Sequence, residues 1–125
     1  MEADGAAIVV TRGKIQVLFA MLQMGMGGSE RLIYNLVKNL DRRVFDPSIA
    51  WFVNEQPLKE FEELGVPLHY VAKRRRIDPG AMHGFGMIVR EHGIDVVNAH
   101  HFMPFFYAYY GSKIAGGARL VYTEH

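Results

Sequence analysis

The residues best suited to chemistry stand in one glycine-rich stretch, residues 24–31, which reads Met-Gly-Met-Gly-Gly-Ser-Glu-Arg. Glycine lets the backbone turn sharply and lets a ligand come close, because no Cβ stands in the way. Ser29 is a natural helix N-cap, and Glu30 would then lie in the first turn, near the positive end of the helix dipole. A helix N-terminus with free N–H groups behind glycines is typical of an anion site, most often for phosphate. The alternative is a tight turn that binds nothing.

The segments on either side of the stretch predict a strand before it and a helix after it. Residues 14–20 form a short apolar run rich in β-branched and aromatic side chains, which is typical of a buried strand. Beyond the stretch, Leu32, Leu36 and Leu40 recur every four residues, with two more apolar residues beside them. Such a repeat predicts the buried stripe of an amphipathic helix. The stretch is therefore interpreted as a strand–glycine loop–helix junction.

The rest of the chain repeats this alternation of strand and helix. Further strands are predicted at residues 47–53, 66–71, 94–99 and 119–123, and further helices at 56–65, 78–93 and 102–116. Strands and helices that alternate with short loops predict an α/β fold with a doubly wound, mostly parallel sheet. Residues 1–13 are interpreted as a tail or a short extra edge strand, and residues 14–125 as one Rossmann-like domain.

Polar residues follow several of the predicted strands. Because ligands of such sheets bind outside the carboxyl ends of the strands, these residues are candidates for one shared site. They are the glycine loop, Asn54 and Glu55, the basic run at residues 73–76, His100 and His101, and finally Glu124 and His125. The basic run is open to two interpretations: a solvated loop, or a patch for phosphate or an anionic membrane surface.

The amino-acid composition limits which classes of protein are possible. Hydrophobic residues make up 50% of the 125 residues, enough for one domain with a real core. The absence of Cys excludes disulfides and thiolate metal sites. The net charge of +1 argues neither for nor against a polyanionic partner, and no nucleic-acid partner is expected. No apolar run approaches the roughly 18 residues that a membrane-spanning helix needs.

Other ligand motifs fit the sequence less well. Gly25-x-Gly27 matches the first half of the dinucleotide motif G-x-G-x-x-G, but Glu30 holds the third glycine position. An NAD-type dinucleotide-binding domain therefore remains an alternative. A P-loop is excluded, because no Gly-Lys-Ser/Thr follows the turn. No metal site is expected, because the adjacent His100 and His101 would diverge on an extended backbone.

Five separate stretches together resemble glycosyltransferase family 4. The first is Gly27-Gly28-Ser29-Glu30-Arg31 with the following Leu-x-x-Asn-Leu and Leu40-Asp41. The others are Pro57-Leu58, Gly65-Val66-Pro67, Asp95-Val96-Val97 followed by His100, and Val121-Tyr122-Thr123-Glu124-His125. They occur in the family's order from Lys14 to His125. The resemblance implies one half of a GT-B fold, in which two Rossmann-like domains face a cleft. This chain resembles the N-terminal, acceptor-side domain, truncated after the fifth strand.

The resemblance also implies a reaction. A sugar would pass from a nucleotide-sugar donor to an acceptor hydroxyl, with retention at the anomeric carbon and with neither a cofactor nor an obligatory metal. Gly27, Gly28 and Ser29 would bind the donor diphosphate, and His125 would be the catalytic residue that reaches the transferred sugar. Many relatives have His-x-His after the fourth strand, where this chain has Asn98 and His100. The residues expected on the acceptor or phosphate side are Arg31, His100, Arg74 and Arg75.

The expected partners follow from the same reaction. They are a nucleotide-sugar, an acceptor that is a small molecule or a lipid (a glycan, lipid or cell-envelope precursor), and the chain's own C-terminal domain. The expected location is the cytoplasm, with peripheral contact to the inner face of the membrane. The isolated chain is expected to be inactive, and its strand at residues 119–123 is expected either to mediate self-association or to be poorly ordered. The alternatives are a free-standing nucleotide- or phosphate-binding module and an interaction domain that uses the aromatic helix at residues 102–116.

Overall fold

The computed structural model describes residues 13–124, which form a sheet of five strands with helices between them. The elements are β1 Ile15–Gln23, α1 Gly28–Asn39, β2 Phe45–Val53, α2 Lys59–Glu62, β3 Leu68–Tyr70, α3 Pro79–Glu91, β4 Val96–His100, α4 Phe102–Ala115 and β5 Arg119–Thr123. All described strand pairs are parallel, and the strand order is β3-β2-β1-β4-β5. The predicted Rossmann-like sheet is confirmed. His125 and residues 1–12 of the predicted tail lie outside the described residues.

Alternate side chains of the central strand β1 supply two hydrophobic cores, one on each face of the sheet. Val17, Phe19 and Met21 pack under α1 and α2. Leu18 and Ala20 point the other way and pack under α3 and α4. This period of two is what an extended backbone imposes, and it makes the strands of a doubly covered sheet apolar throughout.

The buried face of α1 differs from the predicted leucine stripe. Ile33 and Val37 are fully buried against the sheet, whereas Leu32 is 40% exposed and Leu36 is 39% exposed. The reason is the helical period: each leucine precedes a buried residue by one position, so it is turned by about 100° to the flank of the helix. Leu40, beyond the end of α1, is partly buried against the same core. The predicted stripe is therefore right for Ile33 and Val37, which were part of it, and wrong by one position for Leu32 and Leu36.

Two further elements are shorter than the sequence predicts. The helix predicted at residues 56–65 is shorter, because Leu58 caps it and only Lys59–Glu62 is helical. The strand predicted at residues 66–71 is reduced to Leu68–Tyr70. At the far edge of the sheet, β5 is found as predicted and pairs with β4 among the described residues. Self-association through β5 stays a prediction.

Helices α3 and α4 cross at two glycines. A Cβ built on Gly86 would lie 2.6 Å from the carbonyl oxygen of Gly111, and one built on Gly111 would lie 2.9 Å from the carbonyl oxygen of Met82. Both glycines are buried. Backbones that approach this closely leave no room for a side chain, so packing outweighs the low helix propensity of glycine at these positions.

We expect Gly86→Ala to lower the free energy of unfolding by about 1–3 kcal/mol, because the new methyl group forces the two helices apart. Gly84→Ala is the matched control on the same helix, since its Cβ would meet Val71 at an ordinary 3.7 Å. That control is expected to gain up to about 1 kcal/mol from helix propensity. Urea unfolding of the 125-residue chain measures both. Equal effects at the two positions would contradict a close crossing at Gly86.

A histidine pair joins the edge strand β3 to the end of α3. The ring centroids of His69 and His92 are 4.6 Å apart. The Nε2 atom of His69 is buried and has no hydrogen-bond partner among residues 13–124. Burial lowers the pKa of His69 below its ordinary value of 6.5, and the neighbouring His92 lowers it further.

Because the pKa of His69 is lowered on folding, protonation of His69 at low pH destabilises the folded chain. The unfolded chain takes up the His69 proton at a higher pH than the folded chain does, so the free energy of unfolding falls as pH drops through 6.5 toward the folded pKa. We expect His69→Gln to reduce the loss of stability between about pH 7.5 and about pH 5.5, measured by urea unfolding. The same substitution at the exposed His83 is the control. An unchanged pH slope in His69→Gln would refute this assignment.

Candidate functional site

The candidate site lies where the strand order reverses. From β1 the chain goes outward through β2 to β3, and then returns to place β4 on the other side of β1. The crevice above such a switch point is the usual ligand site of an open α/β sheet. The glycine loop follows β1 and His100 ends β4, so the fold brings these two predicted elements to neighbouring strand ends.

The first turn of α1 is closed by the side chain of Glu30. The N-cap is Gly27, so Ser29 is the second helical residue and the prediction of Ser29 as N-cap is wrong. The Glu30 carboxylate accepts the Gly27 N–H at 2.8 Å and the Ser29 hydroxyl at 2.8 Å. A glutamate three residues after the cap can reach back in this way, which allows the helix to start without a capping side chain.

The loop glycines provide space rather than an unusual turn. None of Gly25, Gly27 and Gly28 has a positive φ. A Cβ on Gly27 would lie 2.8 Å from Glu30 Oε1, whereas a Cβ on Gly28 would meet no atom within 4 Å. Within residues 13–124, the N–H groups of Gly28, Ser29 and Glu30 have no hydrogen-bond acceptor. The N-terminus of α1 therefore presents three backbone donors behind an open glycine.

The end of β2 anchors the loop that follows β1. The Met24 N–H donates to the carbonyl of Val53 at 3.0 Å, and the Asn54 side-chain amide donates to the carbonyl of Met24 at 3.3 Å. Asn54 has a φ of 68°, and its own carbonyl accepts the Trp51 indole N–H at 2.7 Å. Asn54 therefore positions the glycine loop. The sequence indicated only that Asn54 follows a predicted strand and did not indicate this role.

His100 is enclosed rather than presented at the edge. Its side chain is fully buried, and its Nε2 lies 2.6 Å from Asn98 Oδ1. The Asn98 amide nitrogen donates to the carbonyl of Val121 at 3.2 Å and to Thr123 Oγ1 at 3.0 Å. An amide oxygen can only accept, so His100 carries its proton on Nε2. This bridge ties the end of β4 to the end of β5.

The backbone of His101 is strained. Its φ of 74° and ψ of 160° fall in a region that residues other than glycine rarely adopt, at a cost of about 1–3 kcal/mol. The residue is the N-cap of α4; its N–H donates to the carbonyl of Thr123 at 3.3 Å, and its carbonyl accepts the Phe105 N–H at 3.2 Å. Strain of this kind concentrates at functional sites, and here it lies beside the switch point.

Comparison with known proteins identifies the chain. The family model described as Glycosyltransferase Family 4 matches residues 26–125. The chain belongs to glycosyltransferase family 4. No curated protein sequence matches it.

Solved structures share the fold of this family 4 domain. A glycosyltransferase from Rickettsia africae ESF-5 superposes with a TM-score of 0.65 at 18% identity, over 87% of this chain and 29% of that one. The lipopolysaccharide outer core galactosyltransferase WaaB gives a TM-score of 0.65 at 14% identity, over 88% and 33%. MurG of Acinetobacter baumannii gives 0.60 at 13% identity, over 88% and 35%. The chain thus spans about a third of the length of these proteins, whose likeness shows the fold.

The predicted cationic residues of the family 4 domain do not all gather at the switch point. Arg31 is exposed in the first turn of α1, next to the glycine loop. Arg74 and Arg75 are exposed in the loop after β3, and β2 separates that strand from β1. Residues 13–124 contain no group of three or more His, Asp or Glu side chains suited to a metal ion. The predicted catalytic residue His125 follows Thr123 by two positions in the sequence.

Besides the role of Asn54, sequence reasoning missed three further contributors to this site. The reciprocal cap by Glu30 had a signal, a glutamate three residues after the cap position. The Asn98 bridge had none, because it depends on how β4 and β5 pair. The strained backbone of His101 had no usable signal either, since only a small fraction of histidines adopt a positive φ.

We expect Gly27 and Glu30 to be energetically coupled. Glu30→Ala should cost about 1–2 kcal/mol, because the Gly27 N–H loses its acceptor. Gly27→Ala should also be destabilising in the natural chain, since the new Cβ would lie 2.8 Å from Glu30 Oε1, but should cost much less when Glu30 is already Ala. A double-mutant cycle by urea unfolding measures this coupling. Gly28→Ala is the control, and additive costs for Gly27 and Glu30 would contradict the geometry.

Proposed function

We propose that this chain is the N-terminal, acceptor-side domain of a retaining glycosyltransferase. The enzyme transfers a sugar from a nucleotide-sugar donor to an acceptor hydroxyl. Membership of glycosyltransferase family 4 supports the reaction class. The observation that carries the assignment of the donor site is the open N-terminus of α1 at the switch point of the sheet.

In this proposal the donor diphosphate lies against α1. The N–H groups of Gly28, Ser29 and Glu30 donate to its oxygens, and the helix dipole favours its charge. As the bond to the sugar breaks, negative charge grows on the leaving diphosphate, and fixed donors lower the barrier by stabilising that charge. The exposed Arg31 is one turn away and adds a cation. The hydroxyl of Ser29 is turned toward Glu30, so Ser29 contributes its backbone.

The proposed sugar end of the site is built on β4 and β5. Thr123 ends β5 opposite His100 and is held by the Asn98 amide. His125 comes two residues later in the sequence and is proposed to contact the transferred sugar, whereas the buried His100 positions the strand ends. The nucleotide-sugar is a substrate in this scheme, which uses no separate cofactor and no obligatory metal.

A second candidate is a nucleotide- or phosphate-binding module that does no chemistry. The same open helix N-terminus favours it, because three backbone donors behind a glycine bind phosphate whether or not a reaction follows. The two proposals differ in turnover and not in the binding element.

The test uses the full-length protein that contains this chain. We expect Gly28→Val to lower the rate of acceptor-dependent release of nucleoside diphosphate by about a hundredfold or more, because the branched side chain fills the open approach to the donors. The measurement is turnover with a panel of nucleotide-sugars. Leu36→Val, at an exposed position two turns further along α1, is the control, and unfolding curves verify that each variant folds.

Three outcomes are separable in this assay. Turnover that Gly28→Val abolishes supports the transferase with its donor site at α1. Full activity in a folded Gly28→Val protein would show that the glycine loop is only a turn and does not bind the donor. Nucleotide binding that Gly28→Val abolishes, without any turnover in the natural protein, would favour the binding module.

A further inference from the structure

The loop after β3 is joined to α4 at Tyr107, and this loop and the outer side of α4 are together termed here the basic–aromatic surface. It lies apart from the donors of α1. Its members are side chains that are cationic or apolar and at least partly exposed: Lys73, Arg74, Arg75, Arg76, Ile77, Phe102, Phe106 and Tyr110.

Tyr107 fastens the loop to the helix. Its side chain is fully buried, its hydroxyl accepts the Asp78 N–H at 2.8 Å, and the same hydroxyl donates to the carbonyl of Arg76 at 3.2 Å. Lys73 Nζ lies 5.9 Å from the centroid of the Tyr107 ring. From the other side, the Asp78 carboxylate accepts the Arg74 N–H at 2.8 Å. The backbone of the loop is therefore held against α4.

The charge of this surface is one-sided. Residues 71–78 contain four cationic side chains and one carboxylate, Asp78, and α4 contains Lys113 and no carboxylate. The Asp78 carboxylate is occupied by backbone N–H groups of Arg74, Gly80 and Ala81. Within residues 13–124, the guanidinium groups of Arg74, Arg75 and Arg76 form no hydrogen bond. A chain with a net charge of +1 thus concentrates positive potential here.

The apolar part of the surface is Ile77 together with a row of rings along α4. Phe102 is 67% exposed, Ile77 is 61% exposed and Tyr110 is 44% exposed. The rings of Phe102 and Phe106 are 6.2 Å apart, and those of Phe106 and Tyr110 are 5.1 Å apart, so the row runs along α4 at every fourth residue. Large apolar side chains are seldom left exposed together unless a partner covers them.

We propose that the basic–aromatic surface binds the face of an anionic lipid bilayer. The cations would lie on the lipid phosphates, and the rings of Phe102 and Tyr110 with Ile77 would enter the headgroup region, where amphipathic aromatic side chains are favoured. No helix described between residues 13 and 124 has both the length and the apolarity to cross a bilayer. The contact is therefore peripheral for this part of the chain.

Charge complementarity selects this occupant over two others. A small soluble anion would pair with the arginines but would leave the row of rings uncovered. A second copy of the chain, docked symmetrically, would bring two sets of four cations together without carboxylates to neutralise them. A surface of anionic lipids supplies both the negative charge and the apolar layer beneath it.

The position of the surface bears on the acceptor, and this step rests on the proposed function. The loop follows the carboxyl end of β3 and Phe102 follows that of β4, so the surface borders the same edge of the sheet as the glycine loop. A bilayer bound there faces the acceptor side of the site. The class of acceptor that fits this placement is a hydroxyl carried by a lipid.

The experiment measures vesicle binding and needs no turnover, so its failure and that of the proposed reaction are distinguishable. The 125-residue chain is floated with vesicles of phosphatidylcholine alone and with vesicles that also contain phosphatidylglycerol. We expect at least about tenfold stronger binding to the anionic vesicles at low salt, which falls as salt screens the cations. Free glycerol phosphate is added as a competitor and should not displace the chain.

Two pairs of matched variants locate the contact. Arg74→Glu with Arg75→Glu should abolish binding, whereas Arg42→Glu with Arg43→Glu, an adjacent and exposed pair on another loop, should leave it near the natural level. Phe102→Ser with Tyr110→Ser should weaken binding most at high salt. Salt screens the attraction between the cations and the lipid phosphates, so that insertion of the rings then accounts for most of the remaining affinity. Leu32→Ser with Leu36→Ser, an exposed pair on α1, is its control. Circular dichroism verifies that each variant folds.

Several results would overturn the proposal. Equal binding to neutral and anionic vesicles would show that the cations do not contribute to binding. An equal loss of vesicle binding in the two arginine double variants would show that any pair of surface cations attracts the vesicles. Displacement by glycerol phosphate would indicate a site for a small anion. Absence of vesicle binding, together with sedimentation that shows a dimer dissociated by Phe102→Ser with Tyr110→Ser, would assign the surface to an interface between copies.

Discussion

The Glu30 carboxylate, buried at the start of α1, is the group on which the candidate site depends. It fills the space beside the glycines, since a Cβ on Gly25 would come within 3.5 Å of its Oε1 and one on Gly27 within 2.8 Å. It accepts the Gly27 N–H at the residue that caps the helix, and the next three N–H groups have no acceptor within residues 13–124. The loop thus encloses one anion of its own. A bound diphosphate would lie at the positive end of the helix together with the negative charge of Glu30. The exposed Arg31 would offset part of the repulsion between these two anions.

Much of the fold was readable in the sequence because it follows from local periodicity. The strand at residues 119–123, the helix start at Asp78–Pro79 and the sheet itself are found as predicted. The sequence placed both the leucines and the β-branched residues of α1 in its buried stripe, and only the β-branched row is fully buried, because packing against the sheet decides between the two adjacent rows. The length of α2 depends on where Leu58 caps it, which no periodicity reveals.

The site was predictable as a place and less so as a set of contacts. Parallel topology alone brings the glycine loop and His100 to neighbouring strand ends. Whether His100 points outward or inward depends on Asn98, and the position of Asn98 against Thr123 depends on the register of β4 and β5. The place of the basic run likewise depends on a contact between distant segments. Tyr107, 29 residues from Asp78 in the sequence, holds that loop against α4, the helix that carries the aromatic row. Contacts between distant segments carry this information, and a single sequence does not display them.

The pairing of β1 with β4 has a consequence for how the chain folds. Val17 lies opposite Val96, and the Gln16 N–H donates to the Asp95 carboxylate across 79 positions of sequence. None of the described strand pairs is a hairpin, so none forms from neighbouring residues alone. During synthesis β1 therefore remains apolar and unpaired on one side until the chain 79 positions further on has emerged. Loops of this size must close before the strands gain their contacts, which makes folding slow and leaves β1 open to association with other chains in the meantime.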